Sequence, residues 1–270
     1  MTRNLKTLII VATVAMGWSG FAYGQSGTVP GRISGTPHDL SGGTAGAGDT
    51  IADNNEVCVY CHTPHGSNTG VQAPLWNKPS AGSTYQTYDQ TVSITLDAPV
   101  LSAVGSVSLA CLTCHDGTQA PDTVINAPGS GFQASGIAGA NGGFRINTTR
   151  TGPAGAALLG TDLRNDHPIG IVYAGQINST TSAKYDADFT DVATATINGS
   201  TATWVDTTGG TSGTREKTDM ILYTRTDTGA VAGAGYVECG SCHDPHNDAN
   251  GRFLRIANAQ SAVCLACHTK

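Results

Sequence analysis

Every cysteine of the chain lies in one repeated pattern, and that pattern limits what the chain can fold into more than any other feature. The eight cysteines form four copies of C-x-x-C-H: Cys58-Val59-Tyr60-Cys61-His62, Cys111-Leu112-Thr113-Cys114-His115, Cys239-Gly240-Ser241-Cys242-His243 and Cys264-Leu265-Ala266-Cys267-His268. This is the attachment motif of c-type haem. Two thiols three positions apart add to the two vinyl groups of one porphyrin, and the next residue is directed at the iron as its proximal imidazole. Two other readings compete. One is a disulfide framework, common in small exported chains. The other is a zinc ribbon, which the 21 residues between Cys242 and Cys264 would suit. Neither explains a histidine after the second cysteine in all four copies, and the 49 residues between Cys61 and Cys111 fit a zinc ribbon poorly. Four haem c groups are the expected cofactors, with His62, His115, His243 and His268 as proximal ligands.

The other histidines balance this count. His38, His65, His167 and His246 are the four that remain, so four irons meet four candidate distal ligands. Methionine is the other common sixth ligand, and Met1, Met16 and Met220 are the only ones in the chain. The first two fall in an N-terminal leader, so at most one haem could be His/Met ligated. Bis-histidine ligation implies low potentials and six-coordinate iron with no open position. Such irons pass electrons; a reductase would need an open or unusual sixth site. An electron-transfer protein, not an enzyme, is expected.

Two of these histidines sit in Cys61-His62-Thr63-Pro64-His65 and Cys242-His243-Asp244-Pro245-His246. Proline disfavours helical geometry at the residue before it, so the chain turns there. His65 and His246 are then too near their own proximal ligands to reach the opposite face of the same haem. Each is expected on a neighbouring haem: His65 on that of Cys111 and Cys114, His246 on that of Cys264 and Cys267. His167, in a turn-like Asn165-Asp166-His167-Pro168 segment, and His38, on a Gly/Ala/Ser-rich stretch ahead of the first motif, are left for the other two irons.

Residues 1–24 read as a cleaved secretory signal: basic Arg3 and Lys6, an apolar run from Leu8 to Met16, and small residues ending in Ala22-Tyr23-Gly24. Gly17, Ser19 and Gly20 break the apolar stretch well short of the roughly 20 residues of a membrane-spanning helix. No membrane anchor is expected in the mature chain, which is placed outside the cell or at its surface, with the periplasm as the alternative. Losing the leader moves the formal charge from −6 to −8, which argues against nucleic acid or an anionic membrane as partner.

Only 13% of residues are charged, and small residues abound, so the chain has little with which to build a large aliphatic core. The expected fold is a mostly irregular, haem-cored single domain over residues 25–270, with short α-helices and a small antiparallel β-hairpin region. Residues 126–160 read as loop. The β-rich insertion spans about 192–237. It holds one hairpin around Asn198-Gly199, the strongest short turn signal, and a second from Met220 to Val237 around Thr228-Gly229. A helix is expected over Ala259 to Cys267. Asn147, Asn178 and Asn198 begin Asn-x-Ser/Thr triplets, weak signals in a Thr-rich chain; Trp76 and Trp204 are candidates to pack on porphyrins.

The ordered set CVYCHTPH from Cys58 to His65, Ala73-Pro74-Leu75-Trp76-Asn77, CLTCHDG from Cys111 to Gly117, His167-Pro168-Ile169-Gly170, CGSCHDPHN from Cys239 to Asn247 and the closing Cys264-to-His268 motif resembles the doubled-CxxCH family. Within it the chain is most similar to tetrahaem cytochromes that polymerise into extracellular filaments. The resemblance implies a subunit joined head to tail with copies of itself, its haems forming a continuous chain. It also implies redox partner proteins or extracellular electron acceptors. One haem would take its distal histidine from a neighbouring protomer, and His38 is the position that fits. A monomeric periplasmic shuttle is the alternative.

Overall fold

The computed structural model describes residues 31–44, 50–53, 56–89, 91–96, 98, 100–101, 103–121, 123–126, 157–175, 186–208 and 214–270. The leader expected over 1–24, most of the loop expected over 126–160, and Asn147 and Asn178 lie outside these. Among the described residues no helix is long and apolar enough to cross a membrane.

Regular structure is sparse and short. Among the described residues there are three α-helices, α1 (Ser106–His115), α2 (Cys239–Cys242) and α3 (Ala262–Cys267), and each carries a C-x-x-C-H motif. The nine strands of the described residues make four small sheets. β1 (Gly42–Thr44) pairs antiparallel with β2 (Thr50–Asp53), and β3 (Gln86–Thr87) pairs parallel with β4 (Asp162–Leu163). β5 (Ile171–Val172) pairs antiparallel with β9 (Tyr236–Val237). The third antiparallel group is the ribbon β6 (Ala193–Ile197), β7 (Ser200–Val205) and β8 (Met220–Leu222).

The β6–β7 turn follows from Asn198 and Gly199, whose φ values of 49° and 79° are both positive, as a two-residue type I′ turn requires. Past β8 the expected second hairpin is reduced to one bridge, Tyr223 with Tyr236, because β9 pairs with β5 instead. The segment expected as one helix from Ala259 is a 3-10 turn, Ala259–Ser261, followed by α3. Gln260 and Ser261 both have positive φ and break it in two.

Among the described residues apolar burial is divided among four small clusters, and three of them rest on motif residues. Tyr60 and Val124 pack with Cys61. Val104, Leu112 and Leu163 form a second group, and Leu112 lies between Cys111 and Cys114. The largest holds Tyr173, Ala174, Val205, Met220 and Leu222, with Cys242 and Cys267 against it. Met220 is thus a core side chain, 1% exposed on β8.

Two polar residues tie motifs to distant chain. Asn77 is fully buried. Its amide donates to Val59 O (2.7 Å) and Asn126 O (2.8 Å), and its Oδ1 accepts from Asn126 N (2.9 Å). Arg255, also buried, donates from Nε to Gly240 O (3.0 Å) and from Nη1 to Lys217 O (2.9 Å). Asn77→Leu keeps the volume and strands these groups, each at roughly 1–3 kcal/mol; a clear fall in the Tm of the holoprotein is expected. Gly105→Ala should also lower it, because a Cβ there overlaps the buried carboxylate of Glu238, an overpacking cost of about 1–3 kcal/mol.

Candidate haem-attachment sites

Each C-x-x-C-H motif is a single helical turn. The amide of the motif histidine donates to the carbonyl of the first cysteine: His62 to Cys58 at 2.8 Å, His243 to Cys239 at 3.1 Å, His268 to Cys264 at 2.9 Å. In the remaining copy the turn is the end of α1. Helical spacing puts residues three and four apart on one face, so the two thiols and the imidazole of each motif leave from the same side. All eight cysteines are free thiols, which does not match a disulfide framework. Among the described residues no three His, Cys, Asp or Glu side chains converge as a metal-binding cluster.

After the histidine, three of the four motifs turn extended and are capped by a segment remote in sequence. Trp76 bridges His62, Leu254 bridges His243, and Phe189 bridges His268. The hydrogen bonds repeat in register. Asn77, Arg255 and Thr190 donate their amides to the second motif cysteines Cys61, Cys242 and Cys267 at 2.8, 2.9 and 2.8 Å. In return Thr63, Asp244 and Thr269 donate to Leu75, Phe253 and Asp188 carbonyls, each at 2.8 Å. The two CHxPH motifs match further: Asn77 and Arg255 each bond the carbonyl just after the first cysteine, Val59 and Gly240. Leu75 and Phe253 both have positive φ, 55° and 58°. These capping segments escaped sequence reasoning. Their only signal is a bulky apolar residue in an irregular stretch, and Trp76 alone drew notice.

The caps also orient the imidazoles. Nδ1 of His62 bonds Pro74 O at 2.6 Å, that of His115 bonds Ala157 O at 2.6 Å, and that of His243 bonds Arg252 O at 2.9 Å. Two of the other four histidines do likewise: His38 with Pro245 O at 3.3 Å and His167 with Pro168 O at 3.0 Å. A carbonyl only accepts, so Nδ1 carries the proton and Nε2 is the free lone pair. Burial holds the imidazoles of His38, His167 and His243 below the usual histidine range, which favours the neutral, ligating form. Burial pushes the thiols of Cys61 and Cys267 up to about 11 and about 12; as protonated thiols they oxidise slowly. The indole N–H of Trp76, whose ring lies 6.1 Å from that of His62, is buried without an acceptor. Paired thiols, tautomer-fixed imidazoles and a spare buried donor fit haem c.

The structure brings several histidines together. The rings of His62 and His246 are 6.0 Å apart and within 12° of parallel. His38 and His115 are 6.2 Å apart, their planes at 69°. His167 lies near enough to His268 for that ring to add to the burial that lowers the basicity of His167. His246 therefore faces the Cys58 motif, where the sequence pointed it to the Cys264 motif. His38 takes the place beside His115 expected for His65. His38, expected from the resemblance to reach a neighbouring subunit, stacks here on Phe253 at 4.0 Å and bonds Pro245 O, both in its own chain. His65 is exposed, its carbonyl held by Asn126 Nδ2 at 2.7 Å and Thr63 Oγ1 at 3.1 Å.

Two attachment motifs also meet directly. Helices α1 and α2 are in contact, and Cys239 N donates to Ser108 Oγ of α1 at 3.0 Å.

No curated protein matches the chain. Residues 230–270 match the family model described as "Doubled CXXCH motif", which spans the Cys239 and Cys264 copies. The chain carries a multihaem c-type cytochrome motif, with covalently bound haem c as its cofactor and electron transfer as the chemistry that motif serves.

Proposed function

We propose that this chain is a tetrahaem c-type cytochrome that carries electrons over long range through closely set bis-histidine haems. One observation carries the reading: two pairs of imidazoles stand 6.0 and 6.2 Å apart. Imidazoles that hold one metal from opposite sides, with metal–nitrogen bonds of about 2 Å, stand about 6 Å apart at their centroids. His246 then serves the haem of Cys58 and Cys61 opposite His62, and His38 that of Cys111 and Cys114 opposite His115. His167 serves the haem of Cys264 and Cys267 opposite His268. His65 is left for the haem of Cys239 and Cys242 opposite His243. Because His62 and His246 face each other, this last pair makes the two CHxPH motifs exchange their second histidines. When bound, haem c supplies a one-electron ferric/ferrous couple. The protein would hold it by two thiols and two imidazoles, at least one of each pair fixed by its Nδ1 proton, and would leave no ligand position for substrate.

In this reading the chain is exported after cleavage of residues 1–24 and is the repeating subunit of an extracellular filament. That last step rests on the sequence resemblance, with a low-charge surface suited to packing against copies of itself. A monomeric periplasmic shuttle is favoured by a specific observation, the engagement of His38 within its own chain. Negative-stain electron microscopy of the purified holoprotein separates the two: long uniform filaments support the subunit, and discrete particles at high concentration support the shuttle.

For the ligand assignment, His246→Ala should convert one haem of four to high spin. The same substitution in a chain lacking the first attachment site (Cys58→Ser with Cys61→Ser) should leave the three remaining haems low spin. A high-spin haem in that second background would remove His246 from the Cys58 site.

A further inference from the structure

Glu238 is an acidic residue buried where sequence reasoning placed no chemistry. It is 2% exposed and directly precedes Cys239. Its Oε2 accepts a 2.5 Å hydrogen bond from Ser108 Oγ on α1, and its Oε1 lies 3.3 Å from Arg225 Nη1. Arg225 is itself buried; it pairs with Asp227 and donates from Nη2 to Ala103 O at 2.7 Å. The carboxylate packs on Gly105, the residue that caps the N-terminus of α1, at a place where any Cβ would collide with it. The partial positive charge of that helix end favours an anion. Glu238 also caps its own helix: its side chain accepts from the backbone of Ser241, whose hydroxyl accepts from Glu238 N at 3.0 Å.

These contacts converge on the junction of two attachment motifs. Ser108 lies three residues before Cys111 and bonds both the Glu238 carboxylate and the Cys239 amide. Across this strut the helices that carry the two motifs, α1 and α2, are in contact. Among the described charges, Arg225 and Asp227 face the carboxylate. Counted together with Glu238, they leave one net negative charge under the junction. Burial screens it little from neighbouring groups, and local charge and hydrogen bonding are levers on haem potential.

Resting on the tetrahaem reading, we propose that Glu238, Ser108 and Arg225 are positioning residues that fix the two attachment motifs against each other. The Glu238 carboxylate also lowers the potentials of the haems carried by Cys111/Cys114 and Cys239/Cys242 relative to the other two. A fixed negative charge favours the oxidised, more positive iron. Removing the charge raises those two potentials. Removing the Ser108 hydroxyl, a donor that partly neutralises the carboxylate, lowers them.

The test is spectroelectrochemical titration of the holoprotein and of Glu238→Gln and Ser108→Ala, with haem content first counted by mass. Glu238→Gln keeps a hydrogen-bonding group of the same shape; two of four midpoint potentials should rise and two stay. Ser108→Ala should move the same two downward. A purely structural role would shift both variants in one direction, and that result overturns the proposal, as does an unchanged set of potentials in both. If Glu238→Gln fails to keep four haems, Ser108→Ala decides alone. Fewer than four haems in the unaltered chain would instead refute the tetrahaem reading, so the two failures are distinguishable.

Discussion

The hydrogen bond from an imidazole Nδ1–H to a backbone carbonyl is the interaction on which the arrangement depends. A free histidine ring rotates about two bonds and has two tautomers. One carbonyl at 2.6–2.9 Å on His62, His115 and His243 removes that freedom and leaves Nε2 as the only ligating atom. Outer-shell partners of this kind orient metal ligands and raise their basicity. The carbonyls come from Pro74, Ala157 and Arg252, so the chain must return to each motif after it has passed it. The bridges at Trp76 and Leu254 belong to two of those returns.

This requirement explains why so little of the described chain is regular. A helical turn of C-x-x-C-H uses four residues, and the return needs only a two- or three-residue ladder. Long helices or strands would carry the capping carbonyl past its histidine. Apolar side chains are accordingly spent in small groups under the motifs, as at Tyr60 with Cys61 and at Tyr173 with Cys267. Where the backbone must bend sharply beside a histidine it adopts positive φ, at Leu75, Arg252 and Phe253, a conformation that costs non-glycine residues energy and persists when the surroundings over-determine it. Buried Asn77 and Arg255 supply that over-determination through their paired bonds to the motif backbone.

The C-x-x-C-H pattern, which the family model matches over residues 230–270, and the hairpin at Asn198-Gly199 were legible in the sequence because both are local: a five-residue spacing, and two residues with φ > 0. The histidine partners were not. His246 lies three residues beyond His243, yet faces His62 across 184 positions of chain. Nothing local distinguishes that motif from the one at Cys264. His38 reaches His115 because its ring stacks on Phe253, a contact between residues that no periodicity links. The second hairpin failed for a related reason: the pattern marks β9 as a strand but not its partner, and Tyr236 and Val237 pair with β5. Glu238 was invisible because a lone acidic residue reads as surface until Ser108, Arg225 and Gly105 are seen to surround it.

The central claim is that each haem is held between two imidazoles of this chain. The most direct measurement is near-infrared magnetic circular dichroism, with low-temperature electron paramagnetic resonance, on the oxidised mature holoprotein at known haem content. The geometry predicts ferric haems that are all low spin with bis-histidine signatures. A high-spin component, or a histidine–methionine band, would contradict it.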